Sequence, residues 1–333
     1  MRFEWVKEMH TLILLDFNST DDTIAFIDQC RKVLGRQGVS HYVFVENGED
    51  TGIKEKLAAN YGVGTQVCLP EIAQPTFFFK TEDMELYYCH SGGNIGFARG
   101  NNLGAQIAKA AWNDPYYIFS NNDLVFEKEP DIAIIDRLFS ENTQIGVIGP
   151  RVVGTDGRPQ SPHNWSPAYK RLILFYWRLL IAPLRDAIRA RRKSSSNISI
   201  PNRTPTGPCD WIMGCFMFVR ASAFFEAGMF DPHTFLFAEE MILSRKMEAV
   251  GSSVWYCDEM EVLHFHAQTT LKSVSVFRRR EMDFESVWYY YKTYTNTSAF
   301  LLTLAKWNFA LHKILFFALE AIMKTFAGTN EEK

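Results

Sequence analysis

Paired cysteines are missing from this sequence. Its six cysteines, Cys30, Cys68, Cys89, Cys209, Cys215 and Cys257, are scattered without a CxxC spacing. That argues against a zinc ribbon or a disulfide scaffold and suits a reducing compartment. An excess of charge is missing too. The 35 Lys and Arg nearly match 38 Asp and Glu, for a formal charge of −3, so composition makes no case for a nucleic-acid partner. The short run TLILLDF near the N-terminus has neither the basic flank nor the cleavage site of a signal peptide. No apolar stretch runs uninterrupted for the roughly 18 residues of a spanning helix, so none is expected. Neither a G-x-G-x-x-G fingerprint nor a Walker loop occurs, and no internal repeat is visible. Only RRKSSSN, at 191–197, looks mobile by composition.

What is present, over 333 residues, is alternation. TLILLDF reads as a buried strand. NSTDD then supplies a helix cap and first-turn acids, and Ile24, Ile27, Cys30 and Leu34 follow at helical spacing. HYVFVENGED is a strand ending in a turn, and IKEKLAANYG a helix with a glycine stop. LYYCHSGGNIGFARGNNLGAQIAKAAW runs strand, glycine-rich loop, helix; PYYIFSNND and IGVIGPRV are further strands. Strands separated by helices of this length predict an α/β fold with a doubly wound, mostly parallel sheet and helices on both faces. The expected organisation is one domain over 1–270, with a nucleotide-binding half to about 150 and an acceptor half over about 205–270. A basic amphipathic insertion at about 165–200 interrupts it, and an aromatic, apolar helical extension fills 271–333.

Four polar clusters fall at predicted strand or helix ends: VENG with Glu46, GGNIGFARGNN from Gly92 to Asn102, SNND ending in Asp123, and FLFAEEM with LHFH. In open α/β sheets ligands bind beyond the carboxyl ends of the strands. Glycines allow close backbone approach, and a helix N-terminus favours phosphate. A hard divalent cation takes oxygen ligands such as Asp123, a His can join that shell, and a neighbouring carboxylate can act as a general base. Taken singly, each cluster reads equally well as a turn, a tight connection or a solvated helix start.

The order of these clusters resembles the family-two inverting glycosyltransferases with a GT-A fold, especially the rhamnosyltransferase-like branch, over roughly residues 11–270. GGNIGFARGNNLG is similar to the family's Asn-x-Gly-Phe-x-x-Gly-Asn-Asn loop and is the most specific motif. VENG resembles its Val-Asp-Asn, SNND its Asp-x-Asp, and FLFAEEM its Phe-Leu-Tyr-x-Glu-Asp helix. The resemblance implies a nucleoside-diphosphate sugar, dTDP- or UDP-linked, bound by Asn18, Glu46, Asn94, Gly96, Phe97, Gly100, Asn101, Asn121, Asn122 and Asp123. It implies Mg²⁺ or Mn²⁺ at Asp123 and His264, and Trp211 and Gly214 on the acceptor side. Glu240 would be the catalytic base, and Glu239 would orient the acceptor or hold the loop. Departures are Glu46 for the commoner Asp, Asn121 for the first acid of Asp-x-Asp, Glu240 where Asp is frequent, and Ile242 for a second Asp.

The implied activity is sugar transfer with inversion to a glycan or lipid-linked glycan, in cell-surface polysaccharide or glycolipid synthesis. Two other classes fit the same scaffold: a catalytically silent glycan- or partner-binding protein, and a nucleotidyltransferase. The second calls for a basic residue in a glycine-rich N-terminal loop, which TLILLDFNSTDD lacks. Arg171, Arg178, Arg185 and Arg192 recur every seven residues, bent at Pro183, and Lys306, Lys313 and Glu320 repeat the step. Such basic amphipathic helices suit an anionic membrane surface, which predicts a cytoplasmic protein held peripherally on the inner face of the cell membrane. Packing on the core or in a homo-oligomer is the other use of such faces.

Overall fold

A computed structural model describes residues 9–179, 203–265 and 275–328. Arg185, Arg192, Pro183, RRKSSSN and His266 lie outside them. The chain divides into two compact units, 1–164 with 200–274, and 165–199 with 275–333.

Among the described residues the first unit is built on an eleven-stranded mixed sheet. Its strands are β1 (His10–Asp16), β2 (His41–Glu46), β3 (Thr65–Val67), β4 (Thr76–Lys80), β5 (Glu85–His90), β6 (Tyr116–Ser120), β7 (Leu124–Val125), β8 (Ile145–Gly154), β9 (Gly207–Pro208), β10 (Phe216–Arg220) and β11 (Ser253–His264). The order is β3-β4-β5-β2-β1-β6-β10-β8-β11-β7, with β9 paired to β11. The centre, β5-β2-β1-β6, is parallel. β10 enters antiparallel between β6 and β8, and a β3–β4 hairpin edges the other side.

Side chains alternate across each strand. Leu12 and Leu14 of β1 join one buried cluster and Ile13 the other. Helices α1 (Thr20–Val33), α2 (Ile53–Tyr61) and α4 (Ile132–Glu141) cover the first face. Helices α3 (Phe97–Ala111), α5 (Ala221–Glu226) and α6 (Glu239–Ala249) cover the second. This is the α/β architecture that the GT-A resemblance implied, and the helical C-terminal extension is present as α7 (Val276–Tyr294) and α8 (Ala299–Gly328).

Close packing of α3 on β1 has a specific cause. A Cβ on Gly100 would lie 2.4 Å from Leu15 Cδ1, and one on Gly104 2.5 Å from Ile13 Cγ2. Gly104→Val is therefore expected to destabilise the fold by about 1–3 kcal/mol, read as a lower urea midpoint at unchanged slope.

In the second unit the described part of the insertion, 165–179, packs with the C-terminal residues. Arg171, read as part of a basic stripe, forms an internal pair with Asp283, Nη1 to Oδ2 at 3.1 Å, and the Tyr176 hydroxyl donates to Asp283 at 2.7 Å. Burying a cation requires such a partner, so Arg171 leaves the stripe while Arg178 stays exposed.

Candidate active site

Register brings the polar strand ends together. Asp16 pairs with Glu46 and Glu46 with His90, so β1, β2 and β5 end at one level, while β6 ends two residues short of it with Ser120 opposite Leu14. Antiparallel β10 sets Phe216 opposite Ser120. The residues just before it, Gly214 and Cys215, therefore meet the SNND loop, and Asn121 N–H donates to Cys215 O at 2.9 Å.

Asp16, passed over in the sequence except as the end of an apolar run, holds this corner. It is 1 % exposed. Its carboxylate accepts from Ser19, from Thr23 Oγ1 at 2.9 Å and from Asn122 Nδ2 at 2.8 Å. Ser19 thus gives its hydroxyl to Asp16 instead of capping α1. Asn122 spends its amide on the scaffold, and a buried polar network of this kind pins the loop.

Glu46 is fully buried. Oε1 accepts from Thr51 N–H at 3.0 Å and Thr51 Oγ1 at 2.6 Å, and Oε2 from the Tyr88 hydroxyl at 2.6 Å. Both oxygens are occupied, so the carboxylate braces the strand end and turns no edge to a ligand. Tyr88 in turn lines a cavity of about 270 Å³ with Lys54, Gln74, Phe77 and His90. Asn18, exposed and at φ 56°, accepts from Glu49 N–H at 3.0 Å through Oδ1.

The glycine-rich loop is held from within. Asn47, missed in the sequence, is 3 % exposed; its Oδ1 accepts from Ile95 N–H at 2.9 Å. Asn94 is exposed and accepts from Gly96 N–H at 3.1 Å. Gly96 has φ 88°, and a Cβ there would meet Phe235 O at 2.7 Å. Phe97 N–H, at the start of α3, donates to that same carbonyl at 2.9 Å, and the Phe97 ring packs edge-on against Phe230. Gly100 and Asn101 are turned inward: Gly100 is a packing glycine, and Asn101, 1 % exposed, donates to Phe97 O.

Asp123 and His264 do come together. β11 runs beside β8 and β7, which sets His264 opposite Gly154 and Leu124. His264 Nε2 lies 3.4 Å from Asp123 Oδ1. Its Nδ1 lies 2.8 Å from Gln160 Oε1. An amide oxygen only accepts, so Nδ1 carries a proton and Nε2 is the nitrogen turned toward the carboxylate. A carboxylate oxygen and an imidazole nitrogen at that distance can share one cation. One carboxylate and one imidazole fit Mg²⁺ or Mn²⁺ when water and phosphate oxygens complete the shell. Among the described residues no group of three or more His, Cys, Asp or Glu could hold a metal on its own. A cavity of about 320 Å³ opens beside Asp123, lined also by Asp22, Phe26, Gln29, Asn122 and Phe265.

The other wall is α6. Phe237 and Ala238 both take left-handed φ, 75° and 66°. Two such non-glycine residues in a row cost on the order of 1–3 kcal/mol each and concentrate at functional sites. The bend delivers Glu239 and Glu240 at the helix start. Glu239 is 3 % exposed. Glu240 Oε1 accepts from Gly214 N–H at 2.9 Å, and a Cβ on Gly214 would fall 2.5 Å from that oxygen. Burial pushes the Glu240 carboxyl above its ordinary value, against the pull of the Gly214 amide. The Cys215 thiol is raised first by burial and then by the carboxylates of Asp123 and Glu240. The 214–215 turn is thus tied to Glu240 through Gly214 N–H and to the SNND loop through Cys215 O. Trp211 stacks on His163, ring centres 3.9 Å apart.

No protein-family model matches the chain. It is similar to glycosyltransferases, as its motifs indicated. An N-acetylglucosaminyl-diphospho-decaprenol L-rhamnosyltransferase of Mycobacterium tuberculosis is 27 % identical over 54 % of this chain and 59 % of its own length. The low-salt glycan biosynthesis hexosyltransferase Agl10 of Haloferax volcanii is 24 % identical over 54 % of this chain and 52 % of its own. The chain thus spans a little over half the length of these curated relatives. Among solved structures, GalNAc-T7 with UDP, GalNAc and Mn²⁺ aligns at TM-score 0.49 and 14 % identity, covering 80 % of this chain and 46 % of that one.

Proposed function

We propose that this chain transfers a sugar from a nucleoside-diphosphate donor to an acceptor hydroxyl in one inverting step. The observation that carries the reading is that Asp123 meets His264 at 3.4 Å in the SNND loop, while the adjoining 214–215 turn, tied to that loop by Asn121 N–H, holds Glu240 through Gly214 N–H at 2.9 Å: a leaving-group side and a base side. The Asn94–Phe97 loop lies beside the diphosphate, and the base of the donor rests in the cavity at Tyr88 and His90, braced from within by Glu46. Asp123 and His264 would hold Mg²⁺ or Mn²⁺. When bound, that ion neutralises charge gathering on the departing diphosphate. Glu240 takes the proton of the acceptor hydroxyl at its free oxygen while Gly214 N–H fixes the other. The stacked Trp211 and His163 rings, with Gly214, form the acceptor wall. The decaprenol-linked acceptor in the mycobacterial relative's name supports a lipid-linked glycan acceptor here, in cell-surface glycan synthesis, with the protein peripheral on the cytoplasmic face of a membrane. The donor is dTDP- or UDP-linked.

Two measurements test this. Thermal-shift titration with dTDP, UDP and GDP, each with and without Mn²⁺, should single out one nucleotide, because ligand binding raises apparent stability. Donor hydrolysis in the absence of acceptor should then follow for the matching sugar. A scaffold that only binds glycans would leave the donor intact.

Gln160 is a positioning residue within the same reading, since ligand histidines are oriented by the group on their other nitrogen. Gln160→Leu is expected to weaken Mn²⁺ binding to the nucleotide complex by about 10–100-fold, measured by titration calorimetry. Unchanged metal affinity would mean that Gln160 only packs.

A further inference from the structure

The near-neutral charge of the whole chain conceals a segregation. The unit formed by 165–199 and 275–333 carries sixteen Lys and Arg against seven Asp and Glu, and the remaining residues nineteen against thirty-one. On the basic unit lies an apolar stripe. Phe300, Leu304, Trp307, Leu311 and Ile314 recur at steps of four and three along α8, which places them on one helix face. All are exposed, Phe300 at 78 %, Trp307 at 74 % and Ile314 at 65 %. The opposite face is buried: Leu302, Ala305, Phe309 and His312 turn inward, and the Phe309 ring stacks on Phe284 of α7 at 4.1 Å. From 299 to 319 the helix has no acidic residue.

We propose that this face of α8 docks on an anionic lipid surface, with the helix lying in the plane of the interface. A protein surface seldom leaves so large a contiguous apolar area open unless something covers it. Charge selects the occupant. A second copy seated on the stripe would bring two strongly basic units together, whereas anionic headgroups complement them. Trp307 at the centre of the stripe is the side chain suited to the boundary between headgroups and acyl chains. Ala299–Glu320 is long and apolar enough to cross a membrane by length and composition, with mean hydropathy 1.2. Crossing would bury Lys306 and Lys313 in hydrocarbon, which is costly for a charged side chain, and would strip α8 from α7. Lying flat keeps Lys313 paired with Glu281 at 3.1 Å and Lys306 over the Trp288 ring at 4.0 Å. The inference adds a membrane address to the lipid-linked acceptor reading but stands on α8 and the charge of its unit.

The test is flotation of the full chain with vesicles of phosphatidylcholine alone and of phosphatidylcholine mixed with phosphatidylglycerol. Binding to the mixed vesicles only, weakened by salt, is expected. Brominated lipids should quench the tryptophan signal lost in Trp307→Phe from shallow positions and not from the bilayer centre. Leu304→Glu with Leu311→Glu changes only exposed side chains. It should keep its melting temperature and donor hydrolysis while vesicle affinity falls by roughly tenfold or more. Absence of binding to anionic vesicles overturns the proposal, as does binding that the double variant retains. Quenching from the bilayer centre would replace it with a spanning helix. Self-association abolished by the double variant, without vesicle binding, would assign the face to a second copy. None of these readouts needs sugar transfer, so a protein that floats but transfers nothing would refute the enzyme reading and leave this one standing.

Discussion

Glu240→Gln is expected to lower sugar transfer by about 10²-fold or more, the usual worth of a positioned base, with donor binding nearly unchanged. The substitution keeps size and the acceptor oxygen that meets Gly214 N–H at 2.9 Å, so the 214–215 turn should hold its shape. What is lost is the ability to take a proton. A base works in its deprotonated form, so rate falls as pH drops through its pKa. Burial raises that pKa, so the acid limb of kcat/KM should lie above the ordinary Glu range, and the residual activity of Glu240→Gln should lack it. Glu239→Gln provides the contrast. Glu239 is nearly inaccessible at 3 % exposure, and adjacent residues on a helix point about 100° apart. Its loss should reduce stability more than it reduces transfer at saturating substrates. If Glu239→Gln proves dead and Glu240→Gln active, the roles are reversed. If both remain active, no carboxylate of α6 is the base.

Asp123→Ala is expected to have the next largest effect, on binding. His264 Nε2 faces Asp123 Oδ1 at 3.4 Å. Removing the carboxylate leaves one imidazole, too few protein ligands to compete with water for a hard cation. Partners one shell further out are typically worth about 10–100-fold, so a direct ligand should cost no less. The Mn²⁺-dependent part of nucleotide affinity should disappear, while the metal-independent part persists through the glycine-rich loop and the Tyr88 cavity. Calorimetry with and without Mn²⁺ separates the two. Full metal-dependent affinity in Asp123→Ala would show that the ion, if used, binds elsewhere. The fold should survive, because the corner is held by Asp16, Thr23 and Asn122.

Local periodicity made much of the scaffold legible. TLILLDF, HYVFVE and YYIFS are uninterrupted apolar runs, the pattern of strands buried on both faces, and they became β1, β2 and β6. The α3 pattern carried through as well. The β3–β4 hairpin escaped because Thr65–Val67 is three residues long and partly exposed, too short for a period to register. α4 escaped despite its Asp131 cap, for its start follows the charged loop EKEPD, with one proline, which reads as a connection. Among site residues, Gly100 and Asn101 sit in the most specific motif yet face the core. A glycine required for helix–strand packing and one required for ligand approach look alike in a sequence.

By itself the sequence determined where strands stop and which polar residues stand at those ends, since both follow from neighbours a few positions apart. Only the tertiary structure decided which of those residues meet. Asp123 finds His264 because β11 lies between β8 and β7. Gly214 finds Glu240 because β10 runs antiparallel into β6 while two left-handed residues turn α6 toward it. Glu46 is withdrawn because Thr51 and Tyr88 reach its oxygens first. The segregation of charge was likewise hidden until 165–199 and 275–333 proved to be one compact unit. These are contacts between distant parts of the chain. They depend on strand register and burial, which no local pattern encodes.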